Sequence, residues 1–151
     1  MSKVPPLLKQ AVLERSIAKD WRDAIKEWRV VGITLNEEDS DTCVCGHYPI
    51  KEICTITNVL TRYDLDIGNH CILHFLKIST GNVFANIKRI RTDAAKAVTK
   101  DLLELAYENC WINDWEYTFC LDTAKRRKMT EKQIACRTRI NEKILQRTKE
   151  K

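Results

Sequence analysis

Residues 41 to 75 read DTCVCGHYPIKEICTITNVLTRYDLDIGNHCILHF. The stretch carries four of the seven cysteines, Cys43, Cys45, Cys54 and Cys71, and all three histidines, His47, His70 and His74. Cys43-Val-Cys45-Gly46 puts two thiols on one tight turn, with a glycine where backbone amides can approach sulfur without a Cβ in the way. From Lys51 to Asn58 the chain alternates Ile53, Thr55 and Thr57 against Cys54, Ile56 and Asn58, the period of a strand. Tyr63 to Ile67 alternates again, which predicts a hairpin turning across 58–62. Gly68-Asn69 then leads into a helix whose first turn carries Cys71.

A knuckle, a hairpin and a helix start converging on one ion form a treble-clef arrangement. Zinc takes thiolate and imidazole ligands in a tetrahedron, and a structural zinc site is closed by four of them. The expected set is Cys43, Cys45, Cys54 and Cys71. The spacing is atypical: C-x-C is tighter than the usual C-x₂₋₄-C, and the other two cysteines stand singly. Alternative sets replace one cysteine by His47 or His70, and a metal-free cluster of buried thiols is the remaining reading. His74 reads as a surface or packing residue. Cys110, Cys120 and Cys136 fall at apolar-face spacing and read as small core residues.

Outward from this stretch, the N-terminal side reads as helix from Pro5 to Val31. Ile17, Trp21, Ala24, Ile25 and Trp28 recur at intervals of three and four, and Gly32 is expected to end the helix. Trp21 and Trp28 read as core contacts, with base stacking the minor alternative. Glu37, Glu38, Asp39 and Asp41 make an acidic loop before the first cysteine. On the C-terminal side, Ile72, Phe75 and Leu76 continue a helix, and 80–82 is read as a turn. Val83, Ile87 and Ile90 define a helix flanked by Lys88, Arg89 and Arg91. Thr92 or Asp93 is expected to cap a following segment with Ala94, Ala95, Ala97 and Val98. Further helices start at Thr99, at Asn113-Asp114 with Trp115 and Phe119 one turn apart, and at Thr130, where Gln133 completes a capping-box pattern. The predicted class is α+β, mostly α-helical. A small zinc-bound hairpin is expected to pack against a helical bundle in one domain, with an N-terminal helix (1–35), a zinc module (36–78) and a basic helical part (79–151).

With 151 residues, 44% hydrophobic and 31% charged, the composition fits a compact soluble domain. The N-terminus lacks an apolar signal core and no run is long enough to span a bilayer, so no membrane partner and a cytoplasmic location are expected. Clustered cysteines there favour metal binding over disulfides. The net charge of +5 is unevenly spread: from Asp122 to Lys151 eleven Lys and Arg face four Asp and Glu. Lysine and arginine that neutralise phosphates release counterions, so such a pole suits nucleic acid. Arg126, Arg127, Lys128, Lys132, Arg137 and Arg139 are the candidate contacts. If the last two helices form a helix-turn-helix-like pair, Thr130 to Arg139 is the face that would enter a groove. A merely solvated basic helix is the plain alternative.

No P-loop, dinucleotide fingerprint or H-E-x-x-H occurs, and no small-molecule substrate suggests itself. Glu52 beside Cys54 would be the base for a catalytic zinc, but a catalytic zinc keeps an open position, and a site closed by four protein ligands has none. Cys45 and His47 as a nucleophile pair are better explained as metal ligands.

The pattern C-x-C-G-H-x-P-I-K-E-x-C, the Ile-x-Asn strand end, the hydrophobic-Gly-Asn-x-Cys step and a following Phe resemble a family of small bacterial and phage proteins, most of them uncharacterised. Phe84-x-x-Ile87-Lys88-Arg89, Trp111-Ile112-Asn113-Asp114-Trp115-Glu116, and Lys132-Gln133 through Ile140-Asn141-Glu142-Lys143 extend the resemblance over about residues 41 to 145. Position 120 departs from the pattern, with Cys120 in place of an aromatic. The resemblance implies a zinc-binding treble-clef-like module joined to a helical part. Asp114-Trp115-Glu116 and Thr-Glu-Lys-Gln also look like segments of phage replication and mobile-element proteins, an analogy toward nucleic acid. The expected function is a non-enzymatic zinc-stabilised accessory or regulatory protein that binds DNA or RNA. The alternative is a protein-interaction module, an inhibitor or adaptor.

Overall fold

A computed structural model describes residues 3–36, 38, 41–75 and 80–150. It has an α+β fold, mostly helical, in two compact units: Met1–Lys77 with Thr148–Lys151, and Ile78–Arg147.

The first unit is built on a four-stranded mixed sheet in the order β3-β2-β1-β4. Helix α1 (Pro6–Glu14) opens with proline, which an initial turn tolerates because its missing N–H has no partner there. Leu8 and Val12, four apart, are fully buried. A short helix α2 (Trp21–Ala24) and a 3₁₀ turn (Ile25–Glu27) lead into β1 (Trp28–Leu35). The single helix expected over 5–31 is therefore corrected. It breaks after Glu14, and residues 28–35 are a strand rich in β-branched side chains. Gly32 lies within β1 and ends no helix.

A bulge interrupts the period of two in β1. Val30 pairs with Ile56 and Gly32 with Thr55, so β1 carries one extra residue at Val31. The insertion re-phases the strand, and Val30, Ile33 and Leu35 all come to be buried. Strand β2 (Glu52–Asn58) and β3 (Asp64–Gly68) form the hairpin that the alternation predicts. Strand β4 (Thr148–Glu150) lies parallel to β1, with Thr148 opposite Ile33. The sheet is thus larger than the expected hairpin.

One buried polar network ties α1, the 3₁₀ turn and the hairpin together. The Glu27 carboxylate accepts the backbone N–H groups of Ile17 and Ala18, each at 2.8 Å, and the Asn58 amide at 2.9 Å. Asn58 Oδ1 in turn accepts Leu60 and Thr61 N–H, closing the hairpin turn. Trp28 Nε1 donates to Ser16 Oγ at 2.8 Å, which removes its only polar atom from competition with the core. Trp28 is buried, so it offers no stacking face; Trp21 is half-buried, edge-on to Phe75 at 5.5 Å. Glu37, Asp39 and Leu76 lie outside the described residues.

The second unit holds four helices: α3 (Thr80–Thr92), α4 (Lys100–Glu108), α5 (Asp114–Thr123) and α6 (Glu131–Leu145). Residues 80–82, expected as a turn, form the start of α3. Its buried face is Val83, Phe84, Ile87 and Ile90, and that of α4 is Leu102, Leu103, Leu105 and Ala106. Thr99 caps α4, and capping boxes formed by Asn113 with Glu116 and by Thr130 with Gln133 open α5 and α6. Residues 93–99 form a turn without helix, in which Asp93 Oδ1 accepts Ala95 N–H. That connection is held from α6. Asn141 Nδ2 donates to the carbonyls of Ala94 and Lys96 at 2.8 and 2.7 Å, and Arg137 reaches that of Ala95 at 3.3 Å.

Candidate metal centre

The knuckle after Asp41 turns tightly. Gly46 N–H donates to Cys43 O at 2.8 Å, and Cys43 N–H donates to His47 O at 2.9 Å. Gly46 sits at φ 98°, a conformation open to glycine and strained for a side chain. Beyond the knuckle, β3 ends at Gly68 and a 3₁₀ turn (Cys71–His74) begins. It is shorter than the helix expected there. Its first residue meets the knuckle, and the ligand atoms of Cys43, Cys45 and Cys71 all lie within 4.8 Å of one another. Thiolates around a tetrahedral zinc at about 2.3 Å stand roughly 3.8 Å apart, so the three sulfurs fit one ion with little movement.

The centre already favours charge on sulfur. The Cys43 thiol is lowered to about 5, first because the Cys71 thiol donates to it, then by the backbone N–H groups of Cys45 and Gly68, against the opposing effect of burial. The Gly68 N–H···Sγ distance is 3.2 Å. A Cβ on Gly68 would stand 3.3 Å from Ile50 Cγ2 and 3.8 Å from Cys43 Cβ, so glycine keeps this approach close. Cys71 moves the other way: as the donor to Cys43 it holds its proton, and burial adds to the effect. Metal binding would displace that proton.

Three of the four expected cysteines, Cys43, Cys45 and Cys71, thus come together, and Cys54 is not among them. Cys54 lies in β2 opposite Ile33 of β1 and Ile67 of β3. Cross-strand neighbours share a face, so its side chain belongs to the apolar side of the sheet. It is buried there, and burial pushes its thiol up, with the charges of Glu52 and Cys43 adding to the effect. A cleft of about 300 Å³ adjoins the trio and is lined by its three cysteines together with His47, His70 and His74. His47 and His70 are exposed and His74 is half-buried. His74 is thus placed beside the centre, where the sequence suggested only surface or packing. Its position three residues after Cys71 was the available signal, since a 3₁₀ turn brings i and i+3 to the same side.

Of the basic candidates, Arg126, Arg127, Lys128, Lys132 and Arg139 are exposed in the helical unit. Arg137 is not, and its assignment as a nucleic-acid contact is corrected. It is 8% exposed, and its guanidinium donates to the carbonyls of Thr123 at 2.5 Å and Ala95 at 3.3 Å. Its place beside Ile140, Asn141 and Ile144 on the buried face of α6 required an inward stem. Cys120 is buried, whereas Cys136 is half-buried and Cys110 exposed at φ 64°, so of the three only Cys120 takes the expected core role.

Among the described residues no helix is long and apolar enough to cross a membrane. Compared with family models, with curated proteins and with solved structures, the chain finds no match.

Proposed function

We propose that this chain is a non-enzymatic, zinc-stabilised nucleic-acid-binding protein with an accessory or regulatory role, akin to the small bacterial and phage proteins its motifs resemble. In this reading Cys43, Cys45 and Cys71 hold the zinc as thiolates, and one imidazole from the adjoining cleft completes four ligands. Three soft sulfur donors with an imidazole suit zinc better than calcium or magnesium, which take oxygen. The ion fastens the knuckle to the end of the hairpin.

The observation that carries the nucleic-acid reading is the turn between α5 and α6. Arg126, Arg127 and Lys128 follow one another in it and Lys132 lies in the next turn of helix, all four exposed and none in an ion pair with a described residue. Asp122 and Glu131 are the acids that flank them. Unpaired cations at this density suit a polyphosphate backbone, whose counterions they would release.

Binding of a fluorescent 20-mer followed by anisotropy at increasing salt tests this. Each phosphate contact contributes roughly 0.7 to 0.9 to the slope of log K against log salt. The triple change Arg126→Glu, Arg127→Glu and Lys132→Glu is expected to cost at least about tenfold in affinity and to flatten that slope. Unchanged binding by this variant rejects the reading. A protein-interaction module is the second reading, favoured by the exposed Trp115, Leu121 and Ile134. A stoichiometric complex with one protein that survives nuclease treatment would select it.

A further inference from the structure

Helix α5 exposes an aromatic side chain that its own fold does not use. Trp115 is 63% exposed, more than any other large apolar side chain among the described residues. It is not loose, because Phe119, one turn on, stacks against it at 5.4 Å with the rings 14° from parallel. An ordered, solvent-facing indole is a flat apolar platform.

The cations of α6 lie at the same level of the helical unit. Glu116, the next residue, accepts a hydrogen bond from Lys143 Nζ at 2.8 Å. Burial raises its carboxyl, but that bond, Asn113 N–H and the charges of Lys143 and Arg139 together outweigh it and hold the carboxyl below its ordinary value. Glu116 therefore marks where α5 and α6 adjoin, with Trp115 beside it on one helix and Arg139 and Lys143 on the other. Residues 132, 139 and 143 repeat at seven and four, so Lys132 lies on the same stripe. The stripe is about 17 Å long at 1.5 Å per residue, and its N-terminal end meets the basic turn of 126–128.

We propose that this face takes a single-stranded nucleic acid, its backbone following the cations of the turn and of α6 and one unpaired base stacking on Trp115. The proposal rests on the nucleic-acid reading above and narrows its substrate class. In a duplex the base faces are covered by their neighbours and only edges reach the grooves, so a flat indole finds nothing to stack on. In a single strand every base offers a π-face, and aromatic side chains beside a cationic track are the usual means of holding it without sequence preference. The groove-reading alternative has lost part of its apparatus, because Arg137 is committed to backbone carbonyls and the first turn of α6 carries Glu131. Trp115 lies between Asp114 and Glu116 in sequence, and the Glu116 charge is met by Lys143, so the cations that remain for an anionic strand are Arg139, Lys132 and those of the turn.

The test uses the full chain with labelled thymidine and uridine 20-mers and a duplex of the same length. Trp115→Ala is expected to weaken both single strands by about tenfold, as loss of one base–aromatic stack does, with the salt slope and the duplex affinity unchanged. Trp115→Phe should keep most of the affinity. Because Trp115 is mainly in solvent, both variants should match the parent in circular dichroism and melting temperature, and Trp115→Leu, apolar but without a π-face, carries the comparison if Trp115→Ala does not fold. Single-strand binding by Trp115→Ala equal to that of the parent, with the charge-reversed triple variant still impaired, overturns the stacking proposal and leaves the broader reading standing. No binding of any strand by the parent removes both, and capture of one protein in place of nucleic acid then assigns the face to that partner.

Discussion

At the scale of single residues, Glu27 does most to join distant parts of the first unit. Its carboxylate receives three donors from two segments, and those bonds hold its pKa below the ordinary value of 4.5, first through Asn58 and then through Ile17 and Ala18 N–H. A carboxyl lowered on folding stabilises the native state above the unfolded-state value, and the contribution disappears as pH falls through the lowered folded value. Urea unfolding should therefore show stability declining from about pH 4.5 downward. Glu27→Gln should be less stable than the parent at pH 7 and should lose less on acidification. Parallel pH profiles for the two proteins would exclude this role. The sequence concealed it: Glu27 reads as one of several charges on an amphipathic helix, and only the path of β2 brings Asn58 to it. The thiols show a similar limit. Cys43, Cys45 and Cys71 were legible from a tight turn and a turn start. Whether Cys54 joined them depended on which face of the sheet it occupied.

Among the elements, those with local signals were the legible ones. The hairpin showed in its alternation, and α4, α5 and α6 in their caps and apolar faces. Strand β1 did not: its bulge breaks the period of two, leaving 28, 30, 33 and 35 buried, and Trp28 also continues the three- and four-residue spacing of the segment before it. With Trp21 and Ala24 it mimics a helix. Strand β4 is three residues long and polar in composition, and only its edge pairing identifies it. Arg137 is misleading in the same way: composition counts it with a basic helix, whereas α6 uses it to hold the ends of two other segments. Arg137→Leu should lower the unfolding free energy by about 2 to 3 kcal/mol, since bonds from a charged donor are lost and buried carbonyls are left bare. Arg137→Lys should recover less than half of that, because an ammonium lacks the planar fork. Denaturant midpoints measure both. A stable Arg137→Leu protein with reduced nucleic-acid affinity would return the residue to the binding surface.

For the whole molecule, the metal and the helices should be separable. If the trio holds a structural ion, the purified protein should contain about one zinc per chain, measured by elemental analysis. Cys43→Ser should then abolish it, while Cys54→Ala should keep it, with some loss of stability from the vacated core space. Chelation should raise amide exchange in 41–75 and along β2 and β3, and leave the capped helices of 80–147 far less affected. Retention of zinc by Cys43→Ser, or its loss in Cys54→Ala, would restore the four-cysteine set.

The pairing of β4 with β1 also fixes an order of events during synthesis. Strands β1, β2 and β3 are complete once residue 68 has left the ribosome, but the partner for the other edge of β1 follows the whole of 78–147. At about 5 to 20 residues per second, those 70 residues take roughly 4 to 14 s to make. Throughout that interval the nascent sheet carries an unpaired edge, a surface open to mispairing with another chain. Helix α6 ends at Leu145, so β4 emerges directly behind it, and the sheet edge and the helical unit are completed together.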